Sequence, residues 1–397
     1  MKEKILVFYP KSDKKPAGGP NAVCYFYNKE QEIRNDSYFE LLDIKENNQE
    51  LHIREQKIKK LPQFLARMYY NIKEVIKVIV LLYGNYPVDK FDFNKYNIIH
   101  FHTAISLYLY RKQLASFRGK ILIQSHTPQP PSQELLANLP KFIKYIIPNL
   151  EKKYERIDRF AFSRADYIIF PCPEAEDPYV NNWSYYKTIK EQKKASYRYI
   201  LTGIPASVPK RTSEDIHSEL NIQVSDFMIC YVGRHNEVKG YDSLKCIGKK
   251  FLIQHDDAWV VCAGKEEPIK RLEHPRWIEI GWTTDAHSYI YAADVFVLPN
   301  KETYFDIVML EILSLGKIVI ASRTGGNKYF EKMKCEGVFL YNTEDEAITL
   351  LNKVKLMNVS EREELGKRNK DFYEKHHTVA AMYDSYIDLL KEITSSK

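Results

Sequence analysis

Met228-Ile229-Cys230-Tyr231-Val232-Gly233-Arg234-His235-Asn236-Glu237-Val238-Lys239-Gly240 is the stretch that decides the fold. Five apolar residues run without alternation and stop at a glycine. Such a run suits a strand buried on both faces, as in a parallel α/β sheet. The loop that follows carries Arg234 and Lys239 ahead of a helical segment. Loops at the carboxyl ends of parallel strands line the ligand crevice of open α/β sheets. An arginine and a lysine there offer a diphosphate a planar fork and a point charge. Taken alone, two loop cations are more often simply solvated.

The same punctuation recurs outward from this point. Trp259–Ala263, Val295–Leu298 and Ile318–Ala321 follow it, and Ile5–Tyr9, Ile98–Phe101, Ile121–Gln124 and Tyr167–Phe170 precede it. Strands alternating with helical spacing give an α/β chain of two Rossmann-like domains. Gly203–Lys210, with Pro205 and Pro209 and no periodicity, marks the linker. The expected domains are therefore 1–204 and 205–374, followed by a helix in 375–397. In that helix Val379, Met382, Tyr383, Tyr386, Leu389, Leu390 and Ile393 fall at three- and four-residue steps. It is expected to pack back toward the N-terminal domain.

Composition narrows the class. The 397 residues hold 59 Lys plus Arg against 52 Asp plus Glu, a net +7 that is too mild to suggest a nucleic-acid partner. Hydrophobic residues at 44% and charged residues at 28% fit a soluble globular protein. The six cysteines lie far apart with no C-x-x-C pair, so free thiols are expected rather than a zinc or disulfide framework. The apolar run at the N-terminus is too short for a signal-peptide core, and no run of 18 apolar residues occurs. A cytoplasmic protein is the expectation. One segment, Lys57 to Val80, reads as a basic amphipathic helix beginning near Pro62. It could lie on an anionic membrane surface or pack as an ordinary surface helix.

A second chemically informative stretch is Ala292-Ala293-Asp294-Val295-Phe296-Val297-Leu298-Pro299-Asn300-Lys301-Glu302-Thr303-Tyr304-Phe305-Asp306. A strand ends near Pro299, a helix begins near Asp306, and Gly316 closes it. Exposed N–H groups at a helix start bind phosphate, and a carboxylate such as Glu311 can accept hydrogen bonds from both ribose hydroxyls. Solvated surface charges are the plain alternative for Glu302 and Glu311. Asp256-Asp257 and Glu344-Asp345-Glu346 read as solvated charges, and no D-x-D metal site is present.

The GR-x(4)-KG loop, the AADVFVLP strand, the acidic loop and helix, and Gly325-Gly326 occur together in this order. In this the chain resembles the second domain of family 4 retaining glycosyltransferases of the GT-B fold, closely from Tyr231 to Asn327 and more loosely before it. The resemblance implies two Rossmann-like domains facing each other across a cleft. It implies transfer of a sugar from a nucleotide-sugar donor, UDP by default, to a glycan, lipid-linked or protein-linked acceptor. The setting implied is bacterial cell-surface polysaccharide or glycoconjugate synthesis, in the cytoplasm or at the inner face of the cell membrane. No metal or other cofactor is expected. Arg234 and Lys239 would hold the donor diphosphate and Glu311 the ribose. The family's first glutamate stands two residues before a Phe-Gly pair; here Phe305 is followed by Asp306, so the motif is E-x(8)-E and either Glu302 or Thr303 takes that role, with Glu302 favoured. Tyr304, Phe305 and Asp306 complete the donor loop. Gly18 and Gly19 match the family's first-domain glycine loop, and His126 the strand-end histidine that approaches the donor sugar. His102 is a weaker candidate. A nucleotide-sugar epimerase and a non-catalytic GT-B partner subunit are the alternatives.

Overall fold

A computed structural model describes residues 3–9, 19–42, 62–83, 88, 90–137 and 139–395, with the side chain of Lys141 excepted. Two six-stranded sheets form among them. The first runs in the spatial order β2 (Glu40–Leu41), β1 (Ile5–Phe8), β3 (Ile98–Phe101), β4 (Lys120–Gln124), β5 (Tyr167–Phe170) and β6 (Tyr197–Tyr199). The second runs β12 (Val338–Tyr341), β11 (Ile318–Ser322), β10 (Val295–Leu298), β7 (Phe227–Val232), β8 (Ala258–Ala263) and β9 (Trp277–Gly281). Every pairing in the second sheet is parallel, as are those linking β1 to β2 and β3, β3 to β4, and β4 to β5.

The strands legible as apolar runs are the interior ones. The four that sequence reading did not find, β2, β6, β9 and β12, are the outer strands of the two sheets. An outer strand has a neighbour on one side only, so nothing demands an unbroken apolar run. β9 reads Trp-Ile-Glu-Ile-Gly and is fully buried only at Trp277.

Each sheet reverses its direction of growth once, between β1 and β3 in the first and between β7 and β10 in the second. The chain divides into two compact units, one of Met1–Phe170, Tyr179–Arg198 and Thr394–Lys397, the other of Pro171–Pro178 and Tyr199–Ile393. Gly203 and Ile204, read as linker, are pinned inside the second unit. The Gly203 N–H meets Met382 Sδ at 3.3 Å, and the Tyr373 hydroxyl donates to the Ile204 carbonyl at 2.8 Å. The C-terminal helix Val379–Ser395 buries Met382, Tyr383, Tyr386, Leu389, Leu390 and Ile393, the face its spacing predicts. All six cysteines are free thiols; five are buried and Cys246 is half-buried.

The first unit packs on aromatic rings. Phe8 at the end of β1 lies 4.8 Å from Tyr110, 4.9 Å from Phe101 and 5.5 Å from Phe93, centroid to centroid. Close-packed rings of this kind resist deletion, because the cavity cannot collapse without moving several neighbours. Phe8→Ala is expected to cost about 3–5 kcal/mol. A urea titration followed by near-ultraviolet circular dichroism measures this.

Candidate functional site

The second sheet's reversal point positions the site. β7 and β10 pair in parallel there, with Ile229 opposite Val295 and Cys230 opposite Phe296. Ligands of open α/β sheets bind outside the carboxyl ends of strands at such a point. The two strands feed the two loops that sequence reading singled out, 233–240 and 299–306. Gly240 brings them together. It caps the helix Tyr241–Gln254 at φ +65°, and a Cβ there would stand 1.7 Å from the Pro299 carbonyl oxygen. The glycine of the GR-x(4)-KG motif is thus required twice, by conformation and by close approach. The Lys301 N–H donates to the Val238 carbonyl at 2.9 Å and completes the join.

At the centre of the join the Lys239 ammonium meets Asp306 at 2.5 Å. The Asp306 side chain is only 8% exposed. It also accepts from the Asn300 amide at 2.6 Å and, as N-cap of the helix Ile307–Ser314, from the Val308 N–H at 3.3 Å. Burial alone would raise its pKa, but Lys239, Asn300 and the Val308 N–H outweigh burial and hold the carboxyl below its ordinary value. Lys239 is oriented in turn by its own loop, where its backbone N–H donates to Asn236 Oδ1 at 2.9 Å.

Arg234, on the same loop, is exposed and forms no ion pair among the described residues. Its backbone is held by the Tyr231 hydroxyl, which donates to its carbonyl at 3.0 Å. The neighbouring His235 is fully buried and stacks on Tyr241 with centroids 3.7 Å apart and rings 6° from parallel. Burial lowers its pKa to about 4. Glu279 receives the Trp277 indole N–H at 2.7 Å and binds the Tyr241 hydroxyl, so the floor beneath the cationic loop is a packed polar network.

The Glu302–Asp306 loop is shaped by the glycine pair. Gly325 sits at φ +44°, and a Cβ there would be 1.8 Å from the Thr303 carbonyl oxygen; one on Gly326 would be 2.2 Å from that of Tyr304. Thr303 is buried and Glu302 is partly exposed. Tyr304 is buried as well, and the Phe305 ring packs among Tyr329, Phe330 and His377 at 5.8, 5.5 and 5.7 Å. Phe305 therefore anchors the loop from below. Glu311, one turn into the helix, meets His287 Nε2 at 3.4 Å, and the carboxylate raises the pKa of that histidine. Both side chains are partly exposed.

In the first unit, Gly19 opens the helix Gly19–Arg34, and a Cβ on it would lie 3.2 Å from His126 Cβ. Gly18 lies outside the described residues. His126 follows β4, and its Nε2 is 3.0 Å from His102 Nδ1, the two rings stacked at 5.2 Å. The His100 ring lies 4.1 Å from that of His102, tilted by 37°. Burial lowers the pKa of all three. They are neutral imidazoles at neutral pH, and His102 and His126 share one hydrogen bond; among the described residues no three His, Cys, Asp or Glu side chains could hold a metal.

Sequence reading placed Arg234, Lys239, Glu302, Thr303, Asp306 and Glu311, and the structure brings all of them to one reversal point. It missed Asn300, His287 and the contact between His102 and His126, both of which it had named. Asn300 carried a signal, being polar directly after the strand-ending Pro299; His287 carried none.

Residues 212–372 match the family model described as glycosyl transferases group 1. An uncharacterized glycosyltransferase of Methanocaldococcus jannaschii is 29% identical over 168 residues, which is 40% of this chain and 43% of that protein's length. Among solved structures, sucrose-phosphate synthase from Thermosynechococcus elongatus aligns over 100% of both chains with a TM-score of 0.63 at 16% identity. Anabaena HepE in complex with UDP-glucose aligns over 98% of this chain and 100% of its own, with a TM-score of 0.58 at 14% identity. A glycosyltransferase from Rickettsia africae aligns over 100% of both with a TM-score of 0.59 at 15% identity. The architecture is that of the GT-B fold.

Two outcomes follow from this geometry. Lys239→Ala leaves a buried carboxylate without its counter-charge and is expected to lose about 3–5 kcal/mol of stability. Pairing Lys239→Met with Asp306→Asn removes both charges, keeps the helix cap and is expected to recover most of the loss in a thermal melt. The histidine stack gives a pH dependence. Each folded pKa lies below the unfolded value of about 6.5, so the unfolded chain takes up protons first as pH falls. Stability is complete above that value and falls below it, by about 1.4 kcal/mol per pH unit for each histidine. Urea midpoints between pH 7 and 5 should drop, and His100→Asn should flatten the slope.

Proposed function

We propose that this chain is a family 4 retaining glycosyltransferase that takes its sugar from a UDP-sugar. The transferred group is a hexose or N-acetylhexosamine. The acceptor is a glycan, lipid-linked or protein-linked, in bacterial cell-surface polysaccharide or glycoconjugate synthesis. One observation carries the proposal: Arg234, Lys239 and Glu311 gather around a single strand-reversal point, beside the start of the helix Ile307–Ser314. Two cations and a helix N-terminus suit a diphosphate, and a carboxylate one turn along suits a ribose diol. That HepE, which shares the fold, was solved with UDP-glucose agrees with this donor class.

In the proposed reaction the bond from the anomeric carbon to the diphosphate oxygen breaks, and its electron pair leaves with the diphosphate. Arg234, Lys239 and the helix N-terminus stabilise the charge that develops there. The acceptor hydroxyl attacks the face the diphosphate leaves, and its proton passes to the departing oxygen. No side-chain base is assigned. Glu302 addresses the donor sugar, favoured over Thr303 because it is the more exposed of the two and carries a charge. The roles proposed for Gly18, Gly19 and His126 are contacts to donor phosphate and sugar.

Arg234 separates binding from folding, since it forms no ion pair among the described residues. A thermal-shift panel of nucleotides and nucleotide sugars should show UDP and a UDP-sugar raising the melting temperature. Arg234→Ala should melt like the parent without ligand and bind UDP about 10–100-fold more weakly. If no nucleotide shifts the melt, or Arg234→Ala binds UDP as tightly as the parent, the proposal fails.

A further inference from the structure

The helix Gln63–Tyr83 is attached to its unit by little of its surface. Val78 and Leu81 are its buried residues, and they join a core formed with Leu136, Ile143, Ile147 and Tyr154. The rest of the helix carries large apolar side chains into solvent. Phe64, Met68, Ile72, Ile76, Ile79 and Tyr83 recur at steps of four, four, four, three and four, and are 75%, 46%, 51%, 55%, 45% and 62% exposed. Residues at that spacing share one helix face. A surface helix normally turns polar residues outward, so an apolar stripe of this length marks a surface that something covers.

The charges around the stripe indicate what covers it. Arg67, Lys73 and Lys77 are exposed, against the single acid Glu74. The neighbouring short helix Lys141–Ile146 adds exposed Lys144 and leaves Tyr145 and Ile146 89% and 62% exposed. Phe142 of that helix shares with Phe64, Met68, Ile72 and Ile76 a furrow of about 510 Å³, with Arg67 at its edge. A protein interface concentrates aromatic side chains and excludes lysine, and a second copy of the chain would set one basic rim against another. Apolar residues flanked by lysines that extend toward phosphate fit the boundary of an anionic bilayer. Among the described residues no helix is long and apolar enough to cross one.

We propose that this helix, together with Lys141–Ile146, is a docking surface for an anionic lipid bilayer, lying along the headgroup boundary. The apolar stripe enters the acyl margin, and Arg67, Lys73, Lys77 and Lys144 meet lipid phosphates.

Sedimentation of the full chain with lipid vesicles tests this without any substrate, so its outcome is separate from that of donor binding. The chain should sediment with vesicles holding about one-third phosphatidylglycerol, and not with pure phosphatidylcholine. Lys73→Glu with Lys77→Glu, and separately Phe64→Ser with Met68→Ser and Ile72→Ser, should each lower the bound fraction at least about tenfold. Both variants should melt like the parent. Failure to bind anionic vesicles, or unchanged binding in both variants, overturns the proposal. So does a concentration-dependent dimer in lipid-free solution that the Phe64, Met68 and Ile72 changes abolish, because a second copy would then cover the face. A collapsed melt in the serine variant would show that the fold itself needs the stripe, and would overturn it too.

Discussion

The second unit's candidate site depends on one ion pair. Lys239 comes from the loop after β7 and Asp306 from the loop after β10, and 67 residues separate them in sequence. At 8% exposure Asp306 sees little water, so its attraction to the ammonium is far less screened than at a surface. The same carboxylate caps the helix Ile307–Ser314 and thereby sets where that helix begins. Where it begins determines that Glu311 falls one turn along, beside His287. The charge pair, the helix start and the carboxylate are therefore one construction. A shift of either loop would have to break all three together, and the contact of Gly240 with Pro299 closes the remaining freedom.

The first unit achieves order at its strand ends by the opposite means. Burial keeps His100, His102 and the half-buried His126 neutral, and His102 and His126 pair through ring nitrogens. A neutral imidazole donates from one nitrogen and accepts at the other, so the contact between His102 and His126 fixes complementary tautomers on the two rings. Lys239 is oriented by electrostatics and His126 by stacking and a neutral hydrogen bond. The distinction follows from what each burial can sustain: a carboxylate stays ionised in a nearly closed site only if a cation faces it.

How much of this was legible in the sequence depends on which physical constraint a residue obeys. Interior strands such as Met228–Val232 and Val295–Leu298 are covered on both faces, which forces an unbroken apolar run that can be read directly. The outer strands obey no such rule, and Trp277–Gly281 with its central Glu279 looks like loop until its hydrogen bonds to Tyr241 and Trp277 are seen. The helix start at Asp306 and its end at Gly316 were readable, because an N-cap and a left-handed glycine are local requirements. Pairing was not. Lys239 and Asp306 each stood in a stretch that drew attention, yet nothing in either stretch says that they touch. His287 sits in a helix with ordinary neighbours and acquires meaning only from Glu311. Phe305 read as part of a donor loop because the motif includes it, while its ring belongs to the aromatic packing beneath.

The surplus of seven positive charges says nothing by itself, and position separates its parts. Lys239 already faces a carboxylate, so a diphosphate arriving beside it meets an ammonium whose field is largely compensated and an aspartate that repels it. The ammonium has three N–H donors and Asp306 engages only some of them, which leaves Lys239 able to orient a phosphate better than to attract it. In the proposed donor complex attraction falls to Arg234, exposed on the same loop with no counter-charge among the described residues. Its guanidinium can take two phosphate oxygens at once, a geometry that a lysine at the same position would not reproduce. Under that proposal the two cations of the loop are unequal partners: Lys239 is held in place by Asp306, and Arg234, which has no ion pair among the described residues, receives the charge.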